Sequence, residues 1–414
     1  MDIDILILGA GPSGLSTALH LLQLDPRLAP SILILDKARH PRPKLCAGGL
    51  VADAEILLER LGLDVREVPH VDASAAHFDF AGHGIKIRLP KSHTLRIIRR
   101  DEFDNWLAKK AENRGIEIRE QVTVKEVRPD LSGVTVITDA GEFRAKIVIG
   151  ADGSNGVTRR CVLPNAPVFT ARVLEVLTPT QPVVARAYPP EAISSSTRGL
   201  LRREERPPRN DEHKVDEAFF DFFSVPENIA GYVWDFPTQV NGQPMRCWGI
   251  YDTNLLSDFK RPALKDPLAE EMSRHGFDLG QYELKGHPIR WFDPFNPLSV
   301  PRVLLVGDAA GADPLFGEGI SIALGYGVVA AREIQAALRR GNFEFRAYRR
   351  RVLSSPLGGT LIARWMLTYF VYSFKWKWFQ FLMWRILKPV VIFVAWVFVL
   401  NWGKRMSRIK NQVS

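Results

Sequence analysis

Several things are scarce in this chain of 414 residues. It has three cysteines, Cys46, Cys161 and Cys247, scattered and odd in number. They form neither a metal-ligand spacing nor a disulfide framework, so a metal site is not expected and a reducing compartment is. The N-terminus reads Met1-Asp2-Ile3-Asp4, acidic where a secretory signal needs a basic flank, and the apolar run that follows is too short for one. There is no internal repeat and no long low-complexity segment. Arg202–Lys214 (RREERPPRNDEHK) is the most polar stretch and reads as an exposed loop. The C-terminal apolar run, Pro389–Leu400, has only twelve residues, against about 20 for a membrane span. Finally, Leu361–Ser414 holds no acidic residue at all.

That last absence reorganises the charge of the molecule. Lys and Arg number 55 and Asp and Glu 46, a net charge of +9. Nine basic residues fall in Leu361–Ser414, as do six of the ten tryptophans, so a neutral body carries a basic, aromatic tail. Such a composition suits an anionic membrane surface. The charge sits among Trp, Phe and Leu rather than on a polar face, so nucleic acid is not expected as a partner. Extending the apolar run back to Phe381 reaches spanning length but includes Arg385 and Lys388, which would have to snorkel. On one straight helix Lys377, Arg385 and Lys388 fall within about 80° of each other. Interfacial helices are the favoured reading, with a span or hairpin and soluble packing as alternatives. Lys404, Arg405, Arg408 and Lys410 are then on the cytoplasmic side, and the protein is peripheral, monotopic or C-terminally anchored. The tail is expected to be removable without unfolding the body.

The N-terminus carries a phosphate-binding pattern. Asp4–Leu8 (DILIL) reads as a buried parallel strand, followed by Gly9-Ala10-Gly11-Pro12-Ser13-Gly14 and a helix-like Leu15–Leu24. A second strand, Ser31–Leu35 (SILIL), ends in Asp36. Gly9 permits the tight turn, Gly11 lets backbone approach a pyrophosphate, and Gly14 lets helix and strand pack closely. Asp36 stands where an acid bonds a ribose 2′-OH, which favours FAD or NAD over NADP.

Three later segments discriminate further. Arg100-Asp101-Glu102-Phe103-Asp104 opens an amphipathic helix with Phe103, Leu107 and Ala111 on one face. Ile147–Gly153 (IVIGADG) reads as a strand and turn, followed by Ser154 and Arg159. Val303–Asp308 (VLLVGD) is another buried strand, leading through Pro314-Leu315-Phe316-Gly317-Glu318-Gly319-Ile320 to a small-residue helix, Ser321–Ala331. The ordered set resembles the FAD-dependent superfamily of para-hydroxybenzoate hydroxylase, the tryptophan halogenases and the geranylgeranyl reductases, over roughly residues 2–350. The resemblance implies FAD, with Arg100 and Asp308 on its ribityl and pyrophosphate groups. It puts Gly319 and Ile320 under the flavin pyrimidine ring. Ser13, Val124, Asp152 and Gly317 join the cofactor-binding set, although Asp152 reads almost as well as a structural turn residue.

Two segments point to one branch. Pro43-Lys44-Leu45-Cys46-Ala47-Gly48-Gly49-Leu50 is similar to the K-x-C-G/A-x-G segment of geranylgeranyl reductases, which implies that Cys46, Ala47 and Gly49 lie against the flavin. Gly231-Tyr232-Val233-Trp234-Asp235-Phe236-Pro237 resembles their Y-x-W-x-F-P strand; Thr238 departs from it, since many members have Lys there. The resemblance implies Tyr232, Trp234, Phe236 and Pro314 as substrate-pocket residues and Cys46 as a proton donor. With no second G-x-G-x-x-G, a separate nicotinamide site is not visible, so NAD(P)H, ferredoxin or another redox-donor protein, and a quinol all remain open as electron sources.

The fold expected is α/β: a three-layer FAD-binding Rossmann-like domain from 1–72, 97–165 and 296–350. A mostly antiparallel substrate domain (73–96 and 166–295) is inserted in it, and a helical membrane-binding tail (351–414) follows. The function expected is reduction of carbon–carbon double bonds in an isoprenoid lipid. The rivals are a flavin monooxygenase or halogenase, a membrane quinone oxidoreductase, and a non-enzymatic carrier of prenyl lipids.

Overall fold

The structure is a computed structural model that describes residues 2–89, 92–181 and 216–408. The polar stretch Arg202–Lys214 and Lys410 lie outside those residues. Strand Asp2–Leu8 sits inside a parallel sheet, between Ile32–Leu35 and Gly141–Gly150. Glu117–Arg119 and Val303–Leu305 extend the sheet on either side. Its sequence explains its burial. Ile5, Ile7, Ile32 and Ile34 enter one core, while Leu6, Leu8, Leu33 and Leu35 enter another. An Ile-Leu alternation of period 2 therefore gives each face of the sheet its own apolar layer.

Helices Pro12–Leu24, Arg100–Glu112 and Ile320–Arg340 share the isoleucine core. Phe103, Leu107 and Ala111 are fully buried there, as their helical spacing requires. Pro12–Leu24 and Ile320–Arg340 pack closely, because a Cβ at Gly327 would stand 2.3 Å from Ser16 Oγ. On the leucine face, the hairpin Val124–Pro129 and Val134–Thr138 pairs back onto Gly141–Gly150. This is a mixed α/β architecture with layers on both faces of one sheet.

Seven further strands form a second sheet. Its order is Lys285–Arg290, Thr170–Pro179, Gln243–Asp252, Gly231–Val240, Glu217–Asp221, Ala75–Phe80, His83–Ile87. All neighbours are antiparallel except Glu217–Asp221 with Ala75–Phe80. A small third sheet, Gly49–Leu50, Leu95–Ile98 and His70–Ala73, holds the end of the Cys46 segment in place.

The tail departs from expectation in two ways. It is not one straight helix. Pro356–Ser373 is followed by Lys377–Phe381, a π turn Leu382–Ile386, Lys388–Val394, a second π turn Ala395–Val399, and Trp402–Arg408. Pro389 has no N–H to give the preceding turn, and Asn401 takes a left-handed φ of 63° after extended Leu400. The basic residues therefore do not form one helical stripe.

The tail is also packed against the body, more closely than a removable appendage requires. Tyr372 and Trp402 are fully buried, and the Trp402 ring lies against Gly325, where a Cβ would be 2.7 Å away. Trp384 stacks on Phe222 of the second sheet's core with centroids 4.3 Å apart. Arg364, one of the nine tail cations, is 2 % exposed and pairs with Asp313 at 2.8 Å and Glu318 at 3.3 Å.

Candidate active site

One cavity of about 1400 Å³ lies between the two sheets and the tail. Single-ligand pockets run to about 300–1,000 Å³, so there is room for a dinucleotide and a second molecule together. Of the residues singled out from the sequence, Gly9, Gly11, Ser13, Asp36, Cys46, Ala47, Gly49, Arg100, Val124, Asp152, Asp308, Gly317, Gly319 and Ile320 line it, and so do Tyr232, Trp234 and Phe236. Two do not. Gly14 lies beneath the turn, where a Cβ would be 2.1 Å from the Gly9 carbonyl oxygen, so its place is in helix–strand packing. Pro314 is buried behind the wall, where its carbonyl accepts a 2.9 Å hydrogen bond from Tyr251. Its assignment to the substrate pocket is therefore corrected.

The phosphate end is built from backbone. Gly9 has φ +113°, and a Cβ there would sit 2.4 Å from the Ala151 oxygen, so only glycine fits. At Gly11 the same test meets only an Arg42 side-chain nitrogen at 3.6 Å, leaving the main chain open to the cavity. Gly11 caps Pro12–Leu24 without a side-chain hydrogen bond, so the positive end of the helix dipole is free for an anion. Asp36 accepts from Ala10 N at 2.7 Å and Ala38 N at 2.8 Å, which fixes the glycine turn. Each carboxylate oxygen retains a second lone pair for a ribose hydroxyl.

Toward the middle, Arg100 forks onto Asp104 at 2.8 and 2.9 Å, and Arg42 approaches the same carboxylate at 3.2 Å. Asp308 accepts from Ser154 Oγ at 3.2 Å. One oxygen of Asp152 caps the short helix Val157–Val162 through Thr158 N and Oγ1, at 2.8 and 2.9 Å, while the other is buried without a partner. The turn role of Asp152 is thus visible alongside its place on the cavity wall. At the second helix N-terminus, Glu318 takes the Ser321 amide at 2.8 Å, and the Gly319–Ile320 backbone borders the cavity. Two helix N-termini facing one cavity, with a glycine opening at the first, fit a dinucleotide cofactor whose pyrophosphate and ring both carry acceptors.

The far limb is apolar. Tyr232, Trp234 and Phe236 alternate toward it, whereas Val233 enters the core behind the sheet and Asp235 pairs with Arg246 at 2.7 Å. Phe78 and Phe220 stack at 4.6 Å, and Phe220 meets Phe236 edge-on at 4.9 Å. Thr238 is buried and off the cavity wall. Cys46 is half-buried; desolvation raises its thiol above the ordinary range, and the Arg100 guanidinium offsets part of the rise. At neutral pH it is therefore a thiol with a proton to give.

Two wall residues went unrecognised in the sequence. Glu175 is 7 % exposed, and burial pushes its carboxyl up to about 7. His287, on the neighbouring strand, is held neutral by burial and by Lys44 and Arg100, its pKa lowered to about 4. The available signal was a glutamate in phase with the inward-facing Ala171 and Val173 of its strand. That phase is hard to assign before pairing is known, because Leu174 and Val176 supply an apolar alternative.

Comparison with known proteins agrees with this geometry. The FAD binding domain family matches residues 2–197. A menaquinone reductase of Mycolicibacterium smegmatis is 26% identical, over 79% of this chain and 75% of its own. Digeranylgeranylglycerophospholipid reductase 3 of Methanosphaera stadtmanae is 24% identical, over 83% and 79%. A geranylgeranyl bacteriochlorophyll reductase-like protein from Thermoplasma acidophilum superposes with a TM-score of 0.69 at 18% identity, over 99% of this chain and 96% of that one. A flavin halogenase shares the fold at 0.66 and 16%, covering 92% and 79%. The chain is an FAD-dependent oxidoreductase whose relatives include geranylgeranyl reductase-like proteins.

Proposed function

We propose that the protein saturates carbon–carbon double bonds of an isoprenoid lipid at a membrane surface. One observation carries this reading: the cavity that holds the glycine turn and Cys46 is continuous with the aromatic limb and with tail residues Ile392, Trp396 and Leu400. Ile392 and Trp396 are also 44% and 56% exposed, so the cavity mouth lies within an apolar surface patch. A long apolar substrate could pass from a bilayer to the Cys46 region without crossing water.

The tail supports a surface docking mode. Lys388–Met406 is, by length and composition, apolar enough to cross a membrane, but the chain turns at Leu400–Asn401. The helical piece up to Val399 is about 18 Å long, against a hydrocarbon core of about 30 Å. A tail lying in the interface of an anionic bilayer, on the cytoplasmic side, fits both its exposed rings and its charge.

When bound, reduced FAD supplies hydride. The residues do the rest: Gly9–Ser13, Arg100, Asp308 and Gly319–Ile320 hold the cofactor, and Tyr232, Trp234 and Phe236 hold the alkene in a dry limb. Cys46 gives the one proton from its thiol. The purified protein, reduced and mixed with isoprenoid lipids in anionic vesicles, should yield products heavier by two hydrogens per bond, read by mass spectrometry. Substrate-dependent O2 consumption with no such product would replace this reading with a monooxygenase or halogenase.

A further inference from the structure

Glu175 is a buried carboxyl on the cavity wall that the mechanism above leaves unused. It lies on strand Thr170–Pro179, between Gly249 of one neighbouring strand and Lys285 of the other. Its Oε2 is buried with no hydrogen-bond partner. The backbone N–H of Cys46 faces the carboxyl, which places the acid directly behind the cysteine segment. A buried acceptor left unsatisfied costs about 1–3 kcal/mol, and a leucine would avoid that cost, so an ionisable group here calls for a use.

We propose that Glu175 is the proton reservoir for Cys46. This rests on the reading that Cys46 protonates the alkene. In that step the π bond breaks and two C–H bonds form. Hydride from reduced FAD goes to one carbon, and the Cys46 S–H proton goes to the other. The thiolate then takes the Glu175 proton, and the carboxylate is recharged from water at the mouth. A thiol raised by desolvation regains a proton readily, so a carboxylic acid is a competent donor to it.

The surroundings keep the acid available at neutral pH. Arg99, Lys44 and Lys285 face Glu175 and favour its anion, while burial opposes them and dominates. Cys247 lies on the strand beside it. Cys46 itself faces Arg100 and Glu175, and the Tyr232 phenol is close to it. Glu175 acts through Cys46, and is a positioning and relay residue.

The test uses the FAD-loaded protein. Iodoacetamide alkylation of Cys46, followed by peptide mass spectrometry from pH 5.5 to 9, reads the coupling without any substrate. In wild-type protein the rise in rate with pH should bend near pH 7, where the new carboxylate disfavours the thiolate. Glu175→Gln should straighten the profile and alkylate at least about fivefold faster at pH 8. In the reductase assay Glu175→Gln should lower kcat on the order of 10²-fold and remove the loss of activity above pH 7, with normal FAD content. Glu175→Asp should restore part of the rate and move the inflection.

A wild-type profile with no bend near 7, or a bend that survives in Glu175→Gln, overturns the relay; the wild-type arm stands even if the variant loses FAD. Unchanged kcat in Glu175→Gln also overturns it. A bend present in wild-type protein that reduces no isoprenoid alkene overturns the reductase reading, and with it the purpose of the relay, while the coupled pair remains measured.

Discussion

The body and the tail solve opposite problems with the same residue types. Across the described body, the large hydrophobic side chains left exposed are Leu131, Val168, Phe259, Leu284 and Phe295, single and scattered. Between Met366 and Phe398 there are thirteen, among them Trp376, Trp378, Phe393 and Trp396. Scattered exposure is ordinary, whereas a concentration of this kind within one segment is not. Yet the same tail buries Tyr372, Trp384, Trp402 and Arg364 against the body. The element that carries the exposed apolar side chains thus doubles as a wall of the cavity.

The sharpest break in that comparison is to cut anyway. Removing Leu361–Ser414 should give aggregated or FAD-free protein, because it strips Trp402 from Gly325 and Arg364 from two buried carboxylates. A yellow, monomeric truncated protein would restore the removable appendage. Next in size is Arg364→Ala. It leaves Asp313 and Glu318 buried and unpaired, and should cost about 3–5 kcal/mol in chemical denaturation. Flavin should be lost with it, since Glu318 adjoins Gly319 at the second helix N-terminus.

A third test is pH. Glu175, raised from 4.5 to about 7, holds a proton in the folded protein that the unfolded chain has already lost in that window. Its contribution is full below pH 4.5 and fades as pH rises through 7, by up to about 3 kcal/mol. The stability of wild-type protein relative to Glu175→Gln should fall across that window; a constant difference from pH 4.5 to 8 would mean that the carboxyl titrates normally. Smallest for the fold, though not for location, is Trp376, Trp378, Phe393 and Trp396 changed together to Ser. Each exposed substitution should move stability by no more than about 0.5 kcal/mol, while vesicle co-sedimentation is largely lost. High salt should release the parent protein only partly, because burial of apolar rings is insensitive to screening.

What the sequence determined by itself was whatever depends on local pattern. The Ile-Leu alternation of Ile5–Leu8 and Ile32–Leu35 set two faces of a sheet. Gly9 and Gly14 set a turn with no room for a Cβ, and Gly11 leaves its backbone open to the cavity. Phe103, Leu107 and Ala111 set a buried helix face. Period and steric necessity act within a few residues, so they can be read without knowing what packs where. What only tertiary structure decided was everything that depends on a partner distant in the chain. Asp36 anchors the turn through Ala10, 26 residues away, and Glu175 faces the Cys46 N–H from a strand far along the chain. Pro314 turns behind the wall, and Arg364 belongs to Asp313 and not to a lipid. Composition counts a cation or a tryptophan wherever it stands. Whether it faces a bilayer or a buried carboxylate is set by packing and by the cost of leaving charge unpaired, and neither can be read from the tail's own sequence.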